Sequence, residues 1–229
     1  MTLAVVLDIE GTVSPLSAVH DVLFPYARER LEDWVRQDRP GTQAVVDGVR
    51  AVLGGQAGLD DVVRTLLEWH DGNAKHSPLK TLHGLVWERG FLAGELCGVV
   101  YPDVPPALAE WRRRGTRCWI YSSGSVLAQR LWFSRSDHGD LGGYLAGHFD
   151  TLTGGPKRDP LSYERIGRVL GAPAREVLFL SDSRAELDAA EAAGWETTGV
   201  RRPGCTTDFG PHRAIADFTG FGTAREVAS

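Results

Sequence analysis

The sequence has few cysteines, and no pattern links them. Cys97, Cys118 and Cys205 are the three cysteines of a 229-residue chain, and none of them lies at C-x-x-C spacing or beside a histidine. A sparse and odd count argues against a disulfide framework and against a zinc site, because both need paired or clustered thiols. The count is typical of a reduced protein, so we expect a cytoplasmic location.

The sequence also lacks long apolar runs and an excess of basic residues. No stretch approaches the roughly 18 apolar residues of a membrane span, and Asp8 and Glu10 interrupt the first apolar run too early for a secretory signal. The net charge is −5 at pH 7, which argues against nucleic acid as the main partner. We therefore expect neither a membrane nor a nucleic-acid partner. A small anionic substrate stays possible, since a metal ion, a lysine and backbone N–H groups can outweigh the net charge locally.

Short apolar runs alternate with helical patterns in the second half of the chain. The runs that predict strands are 3–9, 116–122, 147–152, 177–182 and 196–200. The helical patterns between the later runs are 105–114, 125–133, 160–171 and 184–193. This alternation predicts β-α units and a parallel sheet, which is an α/β fold.

The stretch from residue 17 to residue 100 follows a different pattern. Apolar residues repeat there at helical spacing in four segments, which are separated by glycine-rich breaks at 54–55 and 71–73. This pattern predicts a small helical domain inserted after the first strand. The proline-rich segment PDVPP at 102–106 marks the return to the α/β fold. We therefore expect a catalytic core of residues 1–16 and 101–229 and a helical cap of residues 17–100.

Polar residues with chemical uses follow three of the predicted strands. They form the segments Asp8-Ile9-Glu10-Gly11-Thr12, Ser122-Ser123-Gly124-Ser125 and Ser181-Asp182, with Glu186 following the last and Lys157 in the loop TGGPKRDP. Each feature alone has an ordinary structural explanation, as a helix cap, a turn or a solvated lysine. Because the carboxyl ends of parallel strands meet at one edge of a sheet, we expect the features to lie together.

This set of residue types suits phosphate chemistry. Carboxylates at strand ends are ligands suited to Mg²⁺, and a carboxylate can also act as a nucleophile that forms an aspartyl-phosphate. A serine hydroxyl and loop amides at a helix N-terminus receive phosphate oxygens. A lysine offsets the charge of a nucleophile and a phosphate held close together.

In this order the motifs resemble those of the haloacid dehalogenase-like phosphatases. A narrower resemblance is to the enolase-phosphatase (acireductone synthase) family of methionine salvage. It rests on 8–27, 78–91, 94–108, 120–133 and 147–151, including the segments DIEGTVSP, IYSSGSVLAQ and GHFDT. The resemblance covers most of the chain and weakens at 36–75 and after about residue 204. A glutamate at position 10 is specific, since the wider superfamily usually has aspartate there.

The resemblance implies a fold, a reaction and a site. The fold is a Rossmann-like core with an inserted helical cap. The reaction converts 2,3-diketo-5-methylthiopentyl 1-phosphate to an enol phosphate and then removes the phosphate through an aspartyl-phosphate. The implied enzyme is a cytoplasmic monomer that uses one Mg²⁺ per chain. Carried over by position, the metal ligands are Asp8, Glu10 and Asp182, and the phosphate-binding residues are Ser122, Ser123 and Lys157.

Within that site the resemblance makes Asp8 the nucleophile and Glu10 the acid and base. Whether Glu10 binds metal through its side chain or its main-chain carbonyl stays open, as does the role of Glu186. The loop TLTGGPK is one residue longer before Lys157 than the family pattern, and Lys157 is the natural candidate for the loop lysine.

The base of the enolisation is also open. Glu10 is one candidate, and Lys80, His83 and Glu88 in the cap are others because their spacing lets them share a helix face. The simpler interpretation, which we favour, makes these cap residues surface polar residues opposite Leu82 and Val86.

Three other functions are alternatives to this one. A plain capped phosphatase for another small phosphate ester would share every core residue. A dehalogenase needs no metal and would leave the carboxylates at 10 and 182 unexplained. A catalytically silent binding module would have lost Asp8, Lys157 or Asp182, and all three are present.

Overall fold

A computed structural model describes residues 3–221 of the chain. It divides the chain into two compact units, Met1–Leu16 with Gly98–Ser229 and Ser17–Cys97. The sequence prediction placed the second boundary after residue 100, so the inserted unit ends earlier than expected. Residues 98–100 belong to the first unit because the Gly98 N–H donates to the Arg135 carbonyl at 2.9 Å. A side chain at Gly98 would overlap the Trp132 carbonyl, so only glycine fits this contact.

The inserted unit is built of helices. The four α-helices are α1 (Phe24–Arg36), α2 (Thr42–Leu53), α3 (Leu59–Asp71) and α4 (Ser77–Ala93), and a short π-helical segment, Ala18–Leu23, leads into α1. Their apolar faces pack into one cluster that includes Leu31, Val49, Leu66 and Leu82. The helical spacing in the sequence therefore follows from this buried stripe on each helix.

The first unit contains a parallel sheet. Its strands are β1 (Ala4–Leu7), β2 (Arg117–Tyr121), β3 (Leu145–Phe149), β4 (Val177–Ser181), β5 (Glu196–Val200) and β6 (Ala214–Ile215). The strand order is β3-β2-β1-β4-β5-β6, and every pairing is parallel. β1 lies between β2 and β4 and is buried along its length, which is why its sequence is continuously apolar. The predicted α/β fold is confirmed.

Four helices connect the strands of this unit. They are α5 (Val104–Arg113), α6 (Val126–Ser134), α7 (Pro160–Leu170) and α8 (Arg184–Ala192). Among the helices of residues 3–221, none is both long and apolar enough to cross a bilayer. The core between helices and sheet includes Val6, Tyr163, Ile166, Phe179 and Leu187.

The strand predicted at 147–152 is displaced in the structure, where β3 is Leu145–Phe149. Asp150 ends the strand because its Oδ1 accepts hydrogen bonds from the N–H groups of Leu152 and Thr153, both at 2.9 Å. The chain therefore turns at the position where the sequence pattern extended the strand.

From β1 the chain first adds strands on one side of the sheet, β2 and β3, and then on the other side, β4 to β6. The order of the strands therefore switches sides between β1 and β4. In open α/β sheets, ligands bind outside the carboxyl ends of the strands at this switch point. Asp8 directly follows β1 and Asp182 directly follows β4. The fold therefore places these two predicted site residues at the position where a ligand is expected.

Candidate active site

Asp8 and Lys157 form a buried ion pair at the end of β1. The Lys157 Nζ lies 2.6 Å from Asp8 Oδ1, and the two side chains are only 10% and 7% exposed. Asp8 continues the ladder of the sheet, since its N–H donates to the Leu180 carbonyl at 3.0 Å. A carboxylate on a rigid strand end is therefore held against a cation that is 149 positions away in the sequence.

Glu186 shares the same ammonium group. Its Oε2 lies 2.6 Å from Lys157 Nζ and accepts a hydrogen bond from Ser181 Oγ at 3.0 Å. Burial and the charge of Asp8 raise the pKa of Glu186 to about 7. Burial by itself would lower the pKa of Lys157, but the carboxylates of Asp8 and Glu186 together raise it. The lysine therefore stays protonated between two carboxylates.

Asp182 faces the turn that follows Asp8. Its N–H donates to Thr12 Oγ1 at 3.0 Å, and Thr12 Oγ1 lies 3.5 Å from Asp8 Oδ2. Gly11 adopts a φ of +70°, and a Cβ at this position would overlap the Asp182 carboxylate. Two features therefore require glycine at position 11, namely the left-handed backbone and the close approach of the Asp182 carboxylate.

The pair of Asp8 and Asp182 fits a divalent cation. Burial and then the charge of Asp8 raise the pKa of Asp182 to about 6. Within residues 3–221 Asp182 makes no ion pair, and the charge of Lys157, which is paired with Asp8 and Glu186, lowers its pKa only in part. A carboxylate without an ion-pair partner beside a second carboxylate is stabilised by a cation, and Mg²⁺ commonly uses one or two carboxylates with waters and a substrate phosphate.

Glu10 is not grouped with these carboxylates. Among the residues that the structure describes, no three His, Cys, Asp or Glu side chains are arranged to hold a metal, so the side chains of Asp8, Glu10 and Asp182 do not form a three-carboxylate cluster. Glu10 is half-buried two residues beyond Asp8, and its charge contributes to the raised pKa of Asp182. It therefore lies close enough to the site for its charge to act on Asp182, and its role as a metal ligand stays a prediction.

The serine segment lies at the N-terminus of α6. Ser122 is buried and follows β2, Ser123 is exposed, and Ser125 caps the helix by accepting from the Ala128 N–H at 3.2 Å. Backbone N–H groups at a helix N-terminus attract anions. The segment therefore presents a hydroxyl and main-chain amides at a helix N-terminus, and the predicted phosphate-binding role of Ser122 and Ser123 stays a prediction.

Two buried residues that the sequence analysis did not single out hold this segment in place. Gln129 Nε2 donates to the carbonyls of Gly124 at 2.8 Å and Phe149 at 2.9 Å. Asp150 Oδ2 accepts from the Val126 N–H, the first residue of α6, at 3.2 Å. The signal for Gln129 is a polar residue inside the apolar helical pattern VLAQRLWF. Asp150 lies within GHFDT, one of the segments on which the resemblance rests.

The loop that carries Lys157 is held along its length. The Tyr163 hydroxyl donates to the Lys157 carbonyl at 2.7 Å, and the Tyr121 hydroxyl donates to the Gly155 carbonyl at 2.7 Å. Arg165 Nη1 donates to the Gly154 carbonyl at 3.0 Å. The longer loop is thus compatible with the lysine reaching Asp8.

The inserted unit corrects the interpretation of His83 as a surface residue. His83 is 6% exposed, and its Nε2 lies 2.9 Å from His70 Nδ1 in a hydrogen bond between the two rings. Burial lowers the pKa of both histidines, and that of His83 falls to about 3. The helical pattern hid this pair because α3 supplies one histidine and α4 the other. Lys80 and Glu88 are half-buried on α4.

Comparisons with known proteins agree with this fold and sequence. Residues 2–194 match the family model of the haloacid dehalogenase-like hydrolases. The protein named enolase-phosphatase E1 from Frankia alni is 50% identical over 93% of this chain and 92% of its own length. The protein of the same name from Nocardia farcinica is 46% identical over 100% of both chains.

Solved structures share the fold. The crystal structure of the UTR4 protein from Saccharomyces cerevisiae is 34% identical, with a TM-score of 0.82 over 95% of this chain and 99% of that chain. CbbY from Rhodobacter sphaeroides, solved in complex with phosphate, is 19% identical, with a TM-score of 0.64 over 97% of both chains. The second likeness concerns the fold alone.

The chain therefore belongs to the haloacid dehalogenase-like hydrolases and, within them, to the enolase-phosphatase E1 family. Membership confirms the resemblance read from the motifs, and with it the prediction of an enzyme of the hydrolase class.

Proposed function

We propose that this protein enolises 2,3-diketo-5-methylthiopentyl 1-phosphate and then removes its phosphate to give the acireductone of methionine salvage. The observation that carries the proposal is the buried group of Asp8, Lys157 and Glu186, with 2.6 Å contacts at the strand ends. The name shared by relatives that are 46–50% identical over nearly the whole chain supports the choice of substrate.

Phosphate binding is the first task of the site. Ser122 and Ser123 would donate hydroxyls to the substrate phosphate, and the N-terminal amides of α6 would add to them. Lys157 would supply a positive charge to the phosphate. The pKa of its ammonium group is raised, so the group stays protonated, and a hydrogen bond holds it at Asp8. The phosphorus is thereby brought to the carboxylate of Asp8.

Phosphoryl transfer then uses Asp8 as the nucleophile. A carboxylate oxygen of Asp8 forms a bond to phosphorus while the bond from phosphorus to the enol oxygen breaks. Glu10 would give its proton to the leaving oxygen and then take a proton from water. That water attacks the aspartyl-phosphate, releases inorganic phosphate and restores the carboxylate of Asp8.

One Mg²⁺ per chain would be held by the carboxylates of Asp8 and Asp182 and by the main-chain carbonyl of Glu10. When bound, this ion supplies positive charge that stabilises the phosphoryl group and an enediolate. Burial and the charge of Asp8 raise the pKa of Asp182 to about 6. A bound cation would offset both effects and stabilise the ionised carboxylate, which suits Asp182 to the role.

The enolisation requires a base that removes a proton from the carbon next to a ketone. Glu10 is the candidate in the core, and Lys80 and Glu88 are the candidates in the inserted unit. His83 is less suited than the sequence indicated, because its Nε2 is occupied by His70 and its pKa is lowered to about 3. Alanine variants of Glu10, Lys80 and Glu88, assayed for enol formation alone, separate the candidates.

We further infer that the enzyme acts as a cytoplasmic monomer on a free small molecule, with no nucleic-acid or membrane partner. The acidic net charge of −5 and the sparse cysteines support this inference. Sedimentation and cell fractionation test it directly.

The decisive experiment follows enol absorbance and phosphate release together, with the diketo-methylthiopentyl phosphate and Mg²⁺. The proposal predicts an enol signal that precedes phosphate. Brisk hydrolysis of other phosphate esters without turnover of this compound would leave a plain capped phosphatase and remove the methionine-salvage assignment.

A further inference from the structure

A buried arginine outside the described site donates a hydrogen bond to the turn that follows Asp8. Arg202 lies two residues beyond β5, and its side chain is 4% exposed. Its Nε donates to the Thr12 carbonyl at 2.8 Å, and its Nη1 lies 2.9 Å from both carboxylate oxygens of Asp103. One guanidinium group therefore joins the ends of β1 and β5 to the start of α5.

Thr12 is the residue through which this contact reaches the site. Its hydroxyl accepts from the Asp182 N–H at 3.0 Å and lies 3.5 Å from Asp8 Oδ2. Its carbonyl is the group that Arg202 holds. A shift of the Thr12 main chain would therefore move the hydroxyl that links the Asp8 carboxylate to the Asp182 main chain.

The turn that carries Thr12 is held by main-chain hydrogen bonds of its own. The N–H groups of Thr12, Val13 and Ser14 all converge on the Ile9 carbonyl, at 3.2, 2.9 and 2.9 Å. The Gly11 N–H donates to the Ser14 carbonyl at 2.8 Å, and the Val13 carbonyl accepts from the Tyr101 N–H at 2.9 Å. Arg202 Nε is the donor to the Thr12 carbonyl, so the guanidinium group holds the one residue of the turn whose hydroxyl reaches Asp8.

The surroundings of Arg202 set the direction of its guanidinium group. Its Nη2 is buried without a hydrogen-bond partner among the described residues, and a buried ion pair such as that with Asp103 is weak evidence for stability. The guanidinium group also packs against two aromatic rings, with its Cζ 4.2 Å from the Tyr101 ring centroid and 4.9 Å from that of Phe218. A planar group that is fixed in this way sets direction as well as charge.

We propose that Arg202 is a positioning residue for phosphoryl transfer, which acts by holding the Thr12 carbonyl so that the Thr12 hydroxyl stays against the Asp8 carboxylate and the Asp182 main-chain N–H. This inference rests on the proposed role of Asp8 as the nucleophile. Lysine cannot replace arginine in the role, since its single ammonium group does not bond in two fixed directions.

The test compares Arg202→Lys and Arg202→Ala with Arg117→Lys. Arg117 is the matched control because it also donates to a main-chain carbonyl, that of Leu170 at 2.7 Å, but begins β2 at the opposite edge of the sheet. The assay is phosphate release from the diketo-methylthiopentyl phosphate and from para-nitrophenyl phosphate. We expect kcat to fall about 10²-fold in both Arg202 variants, as for a small misplacement of a reacting group, with KM within about twofold.

Two further readouts separate positioning from loss of structure. Hydrogen exchange of the Thr12, Val13 and Ser14 amides should become faster in Arg202→Lys and stay unchanged in Arg117→Lys. A surface pocket of about 630 Å³ is lined by Arg202, Tyr101 and Cys205. Methylguanidinium should therefore reach the space left in Arg202→Ala and restore part of kcat, whereas methylammonium should not.

Each outcome decides the proposal. Wild-type kcat in Arg202→Lys, or unchanged exchange of the turn amides, would overturn it. A kcat loss that methylguanidinium does not reverse, together with a lower unfolding midpoint for both Arg202 variants, would also overturn it. If the wild type hydrolyses para-nitrophenyl phosphate but not the diketone, the proposed substrate fails while Arg202 is still judged on the ester that reacts.

Discussion

Lys157 Nζ lies 2.6 Å from Asp8 Oδ1, in a contact between a loop lysine and a strand-end carboxylate that are 149 positions apart. The same ammonium group lies 2.6 Å from Glu186 Oε2. One cation therefore compensates two carboxylates, and a substrate phosphate entering here would compete with both for it.

Replacing this lysine should disable the site. In Lys157→Met the two carboxylates lose their shared cation and a phosphate loses its charged partner. We expect kcat for phosphate release to fall by about 10²–10³-fold, as for removal of a preorganised charge. Steady-state phosphate assays measure the change. The exposed neighbour Arg158 is the control, and a loss in Arg158→Met equal to that in Lys157→Met would point to the charge of the loop and not to its contact with Asp8.

Gly11 should be irreplaceable for activity and not only for backbone freedom. Its φ is +70°, and a Cβ would overlap the Asp182 carboxylate. Gly171 has a similar φ of +62° with open space around it. Both glycine-to-alanine variants should lose about 1–2 kcal/mol of unfolding free energy from the left-handed backbone. Only Gly11→Ala should also lose phosphatase activity, and equal activities of the two variants would contradict this account.

Gln129 should matter for substrate binding through the serine segment. Its Nε2 satisfies the carbonyls of Gly124 and Phe149. Gln129→Leu leaves both without this donor, so we expect a loss of about 1–3 kcal/mol of unfolding free energy and a higher KM for the phosphate substrate. Urea unfolding and initial rates measure the two effects. The exposed Gln43 is the control, and Gln43→Leu should leave both quantities unchanged.

The buried histidine pair should make stability depend on pH. Burial lowers the pKa of His70, and it lowers that of His83 to about 3. Below about pH 6.5 the two histidines are protonated in the unfolded chain but stay neutral in the folded protein. The unfolding free energy should therefore fall with decreasing pH, by up to about 1.4 kcal/mol per pH unit for each histidine.

Urea midpoints between pH 7 and pH 5 measure this effect. In His83→Asn the slope should become shallower, whereas in His138→Gln, where the ring is 33% exposed, the slope should match the wild type. An identical slope in His83→Asn would show that the pair does not carry the effect.

Much of this fold could be predicted from the sequence, and particular residues show why. β1 is continuously apolar because it pairs on both sides, with β2 and β4, and the helical spacing of the inserted unit follows from one buried stripe on each helix. The end of β3 could not be read in the same way. Asp150 turns the chain there through side-chain hydrogen bonds, which the apolar pattern does not encode.

The candidate site, like the fold, could be predicted from the sequence only in part. Asp8, Ser122, Lys157 and Asp182 were predicted because strand ends and residue types point to phosphate chemistry. The residues that support them were not predicted. Gln129, Asp150 and Arg202 act through bonds to distant main-chain groups, and only the fold brings those groups into reach. The pairing of His83 was not predicted for a similar reason, because its partner His70 lies on another helix.

Trapping the covalent intermediate tests the central claim most directly. The wild type is mixed with the diketo-methylthiopentyl phosphate and Mg²⁺, quenched in acid within one turnover and digested for mass spectrometry. The account predicts that the peptide containing Asp8 gains one phosphoryl group, and that Asp8→Asn shows no gain and releases no phosphate. A phosphoryl group on any other residue, or phosphate release from Asp8→Asn at the wild-type rate, would contradict the account.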